Sequence, residues 1–275
     1  MDERQGHLEV PHSCGDTTEK VTENWRILGK SVQGGSHFKV GMSCQDSHAC
    51  ELLSGESEET LFIAIADGAG SAKYGEIGAR TAVTTAISTA RVRRDDVATS
   101  AVTNDDLRTF LTNCFRDCRA AVEQEADVRG EALRELATTL ILVVAQRGFV
   151  AAGQIGDGAC VIADAQDEVR TINGPRIGEY INETVFLTSP NAFEELQFSV
   201  SRGDIRSIAA FCDGLQVLAL KLPEGLPHKA FFSPLFQFVA EPTASADQLA
   251  TFLSSSRIQE RADDDLTLVL AHSLP

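Results

Sequence analysis

The sequence predicts an α+β fold, a single domain in which helices cover the faces of an antiparallel β core. Two observations support this. Strand-like apolar segments come in pairs joined by short turns, as in hairpins, and the helical segments come in runs. A doubly wound parallel sheet would instead need strands and helices that alternate one for one. The chain has 275 residues, 43% of them hydrophobic, and contains no repeat or linker that divides it.

The first part of the chain predicts a tail followed by short strands. Residues 1–24 are polar and without periodicity, so we expect a loose N-terminal tail and a domain over residues 25–275. Residues 27–30 and 38–40 read as short strands around a Gly-Gly turn, and residues 51–60 read as an acidic loop. Residues 61–66 form an apolar run typical of a buried strand.

Two helices follow this strand. Apolar residues between Ile77 and Ala90 recur at helical spacing. A second helix is predicted to begin at Thr103 or Asn104 as its cap, with Asp105 and Asp106 in its first turn. Its apolar face continues to Val122.

The second half of the chain reads mainly as strands. Two hairpins are predicted, and a final strand closes the chain. The hairpins pair 139–145 with 149–155 and 196–200 with 205–212; single strands are expected at 159–163 and 266–271, and helical or mixed segments at 216–220, 231–239 and 246–253.

The composition limits the classes of partner and the cellular location that we expect for this protein. A formal net charge of −16 argues against nucleic acid or an anionic membrane as the partner. No apolar run approaches the roughly 18 residues of a membrane span, and the N-terminus has no signal-peptide pattern. The seven cysteines lack metal-ligand spacing, so we predict that they are reduced. These features together predict a cytoplasmic protein.

The most informative pattern is an apolar stretch that ends in Asp-Gly. It occurs at Asp67-Gly68, Asp157-Gly158 and Asp213-Gly214, and an acidic cluster at 263–265 precedes the last strand. Each pair alone is common in hairpin turns. Carboxylates at the rims of buried strands repel one another unless a cation lies among them, and carboxylate and carbonyl oxygens suit Mg²⁺ and Mn²⁺. The four together therefore predict a hard-metal site.

These motifs resemble those of the metal-dependent type 2C (PPM-type) serine/threonine protein phosphatases. The resemblance covers about residues 30–271, and the start of the domain looks like a divergent bacterial branch. The matching segments, in order, are Cys44-Gln45-Asp46, Ala66-Asp67-Gly68-Ala69-Gly70, Gly156-Asp157-Gly158, Cys212-Asp213-Gly214 and Asp264-Asp265-Leu266-Thr267.

The resemblance implies a fold, a reaction and a role for each motif. The fold would be an α-β-β-α sandwich of two packed antiparallel sheets, and the reaction would be hydrolysis of protein phosphoserine and phosphothreonine by a metal-activated water. Two Mg²⁺ or Mn²⁺ ions are implied, with a third at a weaker position. Asp67 would bridge two ions, the Gly68 carbonyl would bind the second, Asp213 and Asp264 would hold the first, Asp46 would orient metal-bound water, and Asp157 would mark the third position.

The chain departs from the family pattern at three positions. The phosphate-binding arginine falls on Gly41, a histidine that serves as a candidate general acid falls on Ala69, and a glutamate near the metals is Gln45. We name His37 and Lys39 as candidate phosphate-binding residues. Lys73 is a further substitute for the arginine, and His37 and His48 are substitutes for the histidine.

Two other functions compete with this one. Gly68-Ala69-Gly70 follows a strand, as in a dinucleotide-binding loop, but Lys73 stands at the third glycine position. The missing arginine and histidine would also suit a catalytically weak or inactive module that binds phosphoproteins or signalling partners. The expected partners of an active enzyme are a phosphoprotein substrate and a cognate Ser/Thr kinase system, with no nucleic acid and no membrane.

Overall fold

Two antiparallel sheets form the centre of the computed structural model, which describes residues 16–54, 59–99, 101–175 and 184–275. In spatial order, the first sheet contains β1 (Thr17–Val21), β2 (Trp25–Val32), β13 (Leu266–Ser273), β10 (Ile205–Phe211), β7 (Ala159–Asp164) and β8 (Val169–Asn173). The second contains β3 (Asp46–Ser54), β4 (Glu59–Asp67), β5 (Leu140–Gln146), β6 (Phe149–Ile155) and β9 (Gln197–Arg202). A small ribbon pairs β11 (Leu220–Lys221) with β12 (Leu226–Pro227).

Helices flank the two sheets. They are α1 (Gly35–Val40), α2 (Gly75–Val92), α3 (Asn104–Arg129), α4 (Gln216–Ala219), α5 (Lys229–Ala240), α6 (Ala246–Leu253) and α7 (Ser256–Gln259). Single 3-10 turns lie at Arg94–Asp96, Leu133–Leu136 and Asp213–Leu215. The predicted N-terminus of α3 is confirmed, since Thr103 and Asp106 form a reciprocal capping box that satisfies two backbone N–H groups.

Most of the buried apolar residues belong to three layers, which produce the α-β-β-α order. A middle layer, including Ile63, Ile141 and Ile208, lies between the inner faces of the two sheets. Residues of α2 and α3 pack on the outer face of the second sheet. Residues of α5 and α6 pack on the outer face of the first sheet. The predicted sandwich of two sheets flanked by helices is therefore confirmed.

The structure differs from the sequence prediction in the first sixty residues. Thr17–Val21, which we assigned to the loose tail of residues 1–24, pairs with β2 as strand β1; residues 1–15 lie outside the described residues. The predicted strand at 38–40 is instead the end of α1, because Gly41 ends a helical turn in the left-handed conformation with φ 71°. Much of the predicted acidic loop belongs to β3 and β4.

The hairpin predicted between residues 196–200 and 205–212 is also wrong. Both strands exist, but β9 pairs with β6 in the second sheet, whereas β10 pairs with β7 and β13 in the first. Gly203 has φ 131° in the short connection, which carries the chain from one sheet to the other. Alternation of apolar residues predicts a strand without indicating its partner. A short turn between two such strands is therefore compatible with a hairpin and also with a crossover between sheets.

The cysteines confirm the prediction of reduced thiols in part. Cys50, Cys114, Cys118, Cys160 and Cys212 are free and buried, whereas Cys44 is disulfide-bonded, contrary to that prediction. Within the described ranges, no helix combines the length and the apolar character needed to cross a bilayer.

Candidate metal centre

The predicted aspartates lie at strand ends on one side of the sandwich. Asp46 begins β3 and stands directly opposite Asp67, which ends β4. Asp157 lies between β6 and β7, Asp213 is two residues beyond the end of β10, and Asp264 lies two residues before the start of β13. Because β10 is paired with both β7 and β13, and its last residue stands opposite the first residue of β7, these strand ends are adjacent. Residues far apart in the sequence thus converge, as the motif pattern predicted.

These carboxylates lie close enough to one another for the charge of each to raise the pKa of its neighbours. Burial raises the pKa of Asp67 well above its ordinary value, and the charges of Asp46, Asp213, Asp264 and Asp157 raise it further. Burial likewise raises the pKa of Asp213 to about 6, with the charges of Asp157 and Asp264 adding to the effect. Without a cation, this cluster is costly to ionise.

Asp46 is the most deeply buried of the four predicted catalytic aspartates. Only 5% of the residue is exposed, and burial followed by the charge of Asp265 raises its pKa well above the ordinary value. No described residue donates a well-formed hydrogen bond to either carboxylate oxygen of Asp46 or to Oδ1 of Asp213. Buried carboxylate oxygens without donors are unfavourable unless they face a cation or its bound water. The donor set is all oxygen, so it fits Mg²⁺ or Mn²⁺.

Two threonines that the sequence analysis did not identify hold the backbone of Asp67. The Thr138 hydroxyl donates to the Asp67 carbonyl at 2.9 Å, and the Asp67 N–H donates to the Thr139 hydroxyl at 3.0 Å. The Thr139 N–H also donates to the Asp67 carbonyl, at 2.8 Å. These contacts fix the end of β4 against the start of β5. No motif marks these threonines in the sequence, because Thr is common at the edge of a strand.

Glycine after the aspartate is required by close backbone packing, at Gly68 above all. A Cβ added at Gly68 would lie 2.2 Å from the carbonyl carbon of Gly75, at the start of α2. A Cβ added at Gly214 would lie 2.2 Å from the carbonyl oxygen of Asp265. The Asp-Gly pattern therefore reflects tight crossings behind the carboxylates as well as turns.

Asp265 is a further residue of the site, and the sequence motifs predict no role for it. Its side chain is 1% exposed, and it accepts hydrogen bonds from the backbone N–H of Gly34 at 2.7 Å and of Gln45 at 2.6 Å. The Asp265 N–H also donates to Oδ1 of Asp264 at 2.8 Å. One buried carboxylate thus ties the start of α1, the segment before Asp46 and the start of β13 to one another.

Asp157 lies at the edge of the cluster with its own partners. The hydroxyl of Thr184 donates to Oδ2 of Asp157 at 2.6 Å, and the side-chain amide of Gln216 donates to its carbonyl. Its charge raises the pKa of Asp67 and Asp213, so it belongs to the same electrostatic group. This placement is compatible with the weaker third metal position.

Of the candidate cationic side chains, His37 lies nearest to the carboxylates. Its Nδ1 is 2.9 Å from Oδ2 of Asp265, and its Nε2 is 3.6 Å from Oδ1 of Asp264. Lys39 is exposed near the end of the same short helix. Lys73 pairs with Glu131 at 2.7 Å, and His48 is buried, with burial lowering its pKa to about 4.

Comparisons with known proteins agree with this geometry. The family model for protein phosphatase 2C matches residues 33–254. Serine/threonine-protein phosphatase 3 of Escherichia coli K12 is 33% identical over 258 residues, which cover 90% of this chain and 98% of that protein.

Solved structures share the fold at lower identity. The serine/threonine phosphatase Stp1 from Staphylococcus aureus superposes with a TM-score of 0.62 at 14% identity, covering 94% of this chain and 98% of that one. The catalytic domain of the serine/threonine protein phosphatase PstP, solved with two manganese ions, has a TM-score of 0.60 at 16% identity and covers 92% and 99%.

Proposed function

This chain belongs to the protein phosphatase 2C family, and we propose that Asp67, Asp213 and Asp264 hold the divalent ions on which its activity depends. Its reaction is the metal-dependent removal of phosphate from phosphoserine and phosphothreonine in proteins, and its cofactor is Mg²⁺ or Mn²⁺. The observation that carries the residue assignment is the group of buried carboxylates that raise one another's pKa, in which both oxygens of Asp46 and Oδ1 of Asp213 lack a well-formed hydrogen bond from the described residues.

The positions of the residues support the roles that the family resemblance implies for them. Asp67 lies opposite Asp46 and within the electrostatic reach of Asp213 and Asp264, so it is the residue suited to bridge two ions. The adjacent carbonyl of Gly68 offers a further oxygen ligand. Asp46 lies deeper than the others and orients water bound to the ions, and Asp157 supplies the peripheral position.

Catalysis on this scaffold depends on positioning and on charge. When bound, two divalent ions lower the pKa of a shared water and neutralise phosphoryl oxygens. The contribution of the chain is to fix the ligands in advance: Thr138 and Thr139 hold the backbone of Asp67, and the Asp265 N–H donates to Oδ1 of Asp264. Such preorganisation suits phosphoryl transfer, which requires little covalent chemistry from the protein.

The remaining parts of the function rest on weaker observations. Lys39 is exposed two residues beyond His37, so it is suited to contact a phosphate or an acidic segment of a phosphoprotein. His37 stays a candidate for the same contact. A Ser/Thr kinase that phosphorylates the substrate is the partner system that such a phosphatase requires, and we assign both to the cytoplasm.

Hydrolysis of p-nitrophenyl phosphate and of a phosphothreonine peptide tests the assignment. With Mn²⁺ we expect turnover by the wild type that EDTA abolishes and that Asp67→Asn reduces to background. The matched control is Asp95→Asn, because its carboxylate is 86% exposed and remote in the sequence from every motif. Turnover that survives EDTA or Asp67→Asn contradicts the two-metal assignment. Mn²⁺ binding without turnover of either substrate would identify the chain as a binding module.

A further inference from the structure

The imidazole of one histidine lies beside the carboxylates of the proposed metal centre. The imidazole of His37 comes from the short helix α1, and 12% of its side chain is exposed. Its two ring nitrogens face different carboxylates: Nδ1 is 2.9 Å from Asp265, and Nε2 is 3.6 Å from Asp264. One donor atom from each of these three residues can be chosen so that all three lie within 4.8 Å of one another.

Contacts other than that with His37 hold the Asp265 carboxylate in place. Its two oxygens already accept the N–H groups of Gly34 and Gln45, and its side chain is 1% exposed. Nδ1 lies 2.9 Å from Oδ2 of Asp265 without a well-aligned hydrogen bond, so a small rotation of the ring is needed before the Nδ1–H group can donate to that carboxylate. The lone pair is then on Nε2, the nitrogen on the side of Asp264. A carboxylate that orients a histidine in this way is the usual support of a histidine metal ligand.

The distance between Nε2 and Asp264 also fits a shared cation. Two ligand atoms at about 2.1 Å from one ion lie about 3.0 Å apart when they subtend a right angle, and about 3.4 Å apart in a tetrahedron. The observed 3.6 Å separation is slightly wider than the second value. A small closing movement of two side chains would bring both atoms into ligand distance of the same ion.

We propose that His37 is a nitrogen ligand of the metal centre, binding beside Asp264 and favouring Mn²⁺ over Mg²⁺ there. This inference rests on the proposed metal centre and adds a ligand to it. Magnesium strongly prefers oxygen ligands, whereas imidazole binds transition ions well. His37 therefore gives one position of the centre a selectivity that an all-oxygen set lacks.

Pulsed electron paramagnetic resonance of the protein loaded with Mn²⁺ alone measures this contact directly. A directly bound imidazole nitrogen modulates the electron spin echo of Mn²⁺. We expect ¹⁴N modulation in the wild type, replacement of that signal in protein labelled with ¹⁵N-histidine, and its loss in His37→Gln. The matched control is His228→Gln, since His228 is exposed at the start of α5, which packs on the outer face of the first sheet, and its signal should equal that of the wild type.

Titration calorimetry measures the selectivity. His37→Gln should weaken Mn²⁺ binding about ten- to a hundredfold while changing Mg²⁺ binding by less than about threefold. A melting curve in EDTA establishes whether this variant is folded, and the isotope comparison in the wild type needs no substitution.

Each outcome decides a different claim. Bound Mn²⁺ without nitrogen modulation overturns the role of His37 and leaves the carboxylate centre intact; it would indicate that His37 is an ion-pair partner or a phosphate contact. Modulation that persists in His37→Gln assigns the nitrogen to another residue and also overturns the inference. Failure of the wild type to bind Mn²⁺ overturns both the ligand and the centre.

Discussion

The Asp213→Asn variant should be more stable than the wild type in the absence of metal. When Mn²⁺ is abundant, the variant should be less stable than the wild type. In the metal-free fold, burial and neighbouring carboxylates raise the pKa of Asp213 from 3.8 to about 6. Between these two pKa values, the folded protein keeps a proton that the unfolded chain has lost, so the free energy of unfolding falls as pH rises. Each pKa unit corresponds to about 1.36 kcal/mol, which gives an upper cost of about 3 kcal/mol above about pH 6.

An amide at this position does not ionise, so the variant escapes that cost. We expect urea unfolding in EDTA to show Asp213→Asn up to about 3 kcal/mol more stable than wild type at about pH 7.5, with the difference approaching zero only below about pH 4. A thousandfold excess of Mn²⁺ over its dissociation constant stabilises the wild type by about 4 kcal/mol, and a variant that has lost a ligand gains much less. The order of stabilities should then reverse.

Asp95→Asn is the control, because its exposed carboxylate should show neither effect. The reasoning is refuted if Asp213→Asn is no more stable than wild type in EDTA, or if Mn²⁺ stabilises both proteins equally. The first result would mean that the carboxylates do not repel one another in the metal-free fold. The second would mean that Asp213 is not a ligand.

Three further substitutions separate the parts of the scaffold. Gly68→Ala places a Cβ 2.2 Å from the carbonyl carbon of Gly75, so we expect the free energy of unfolding to fall by about 1–3 kcal/mol or more. Thermal unfolding measures this change, and an unchanged melting temperature would contradict the close approach of the two backbones. Thr139→Val removes the hydroxyl that accepts the Asp67 N–H, so kcat should fall about tenfold with Mn²⁺; full activity would show that this contact does not position the ligand. Thr103→Ala removes the N-cap of α3 and should lower the free energy of unfolding by about 1 kcal/mol without changing kcat. A loss of activity in the folded variant would count against a purely structural role for Thr103.

The ends of the apolar strands and the start of α3 could be predicted from the sequence, because they depend on local patterns, whereas the convergence of the aspartates was predicted from the order of the motifs and their resemblance to a family. Apolar runs that end in Asp-Gly predicted the strand ends that carry Asp67 and Asp213. The capping residues of α3 were equally visible.

Features that depend on pairing between distant segments could not be predicted. The pattern of β9 and β10 contains no information on which sheet each strand joins, so the crossover at Gly203 looked like a hairpin. In the sequence, Asp265 has no feature that distinguishes it from the neighbouring Asp264. In the structure it is buried and accepts two backbone N–H groups, so it holds neighbouring segments of the site together. The threonines that hold Asp67 contact it across a strand pair, more than seventy residues away in sequence.

The most direct test of the metal centre is an anomalous diffraction map from crystals grown with Mn²⁺. The proposed assignment predicts two peaks about 3.5–4 Å apart, both within ligand distance of Asp67, with Asp213 and Asp264 on one of them. Peaks located elsewhere on the protein, or no ordered manganese between these carboxylates in a crystal of active enzyme, would contradict it.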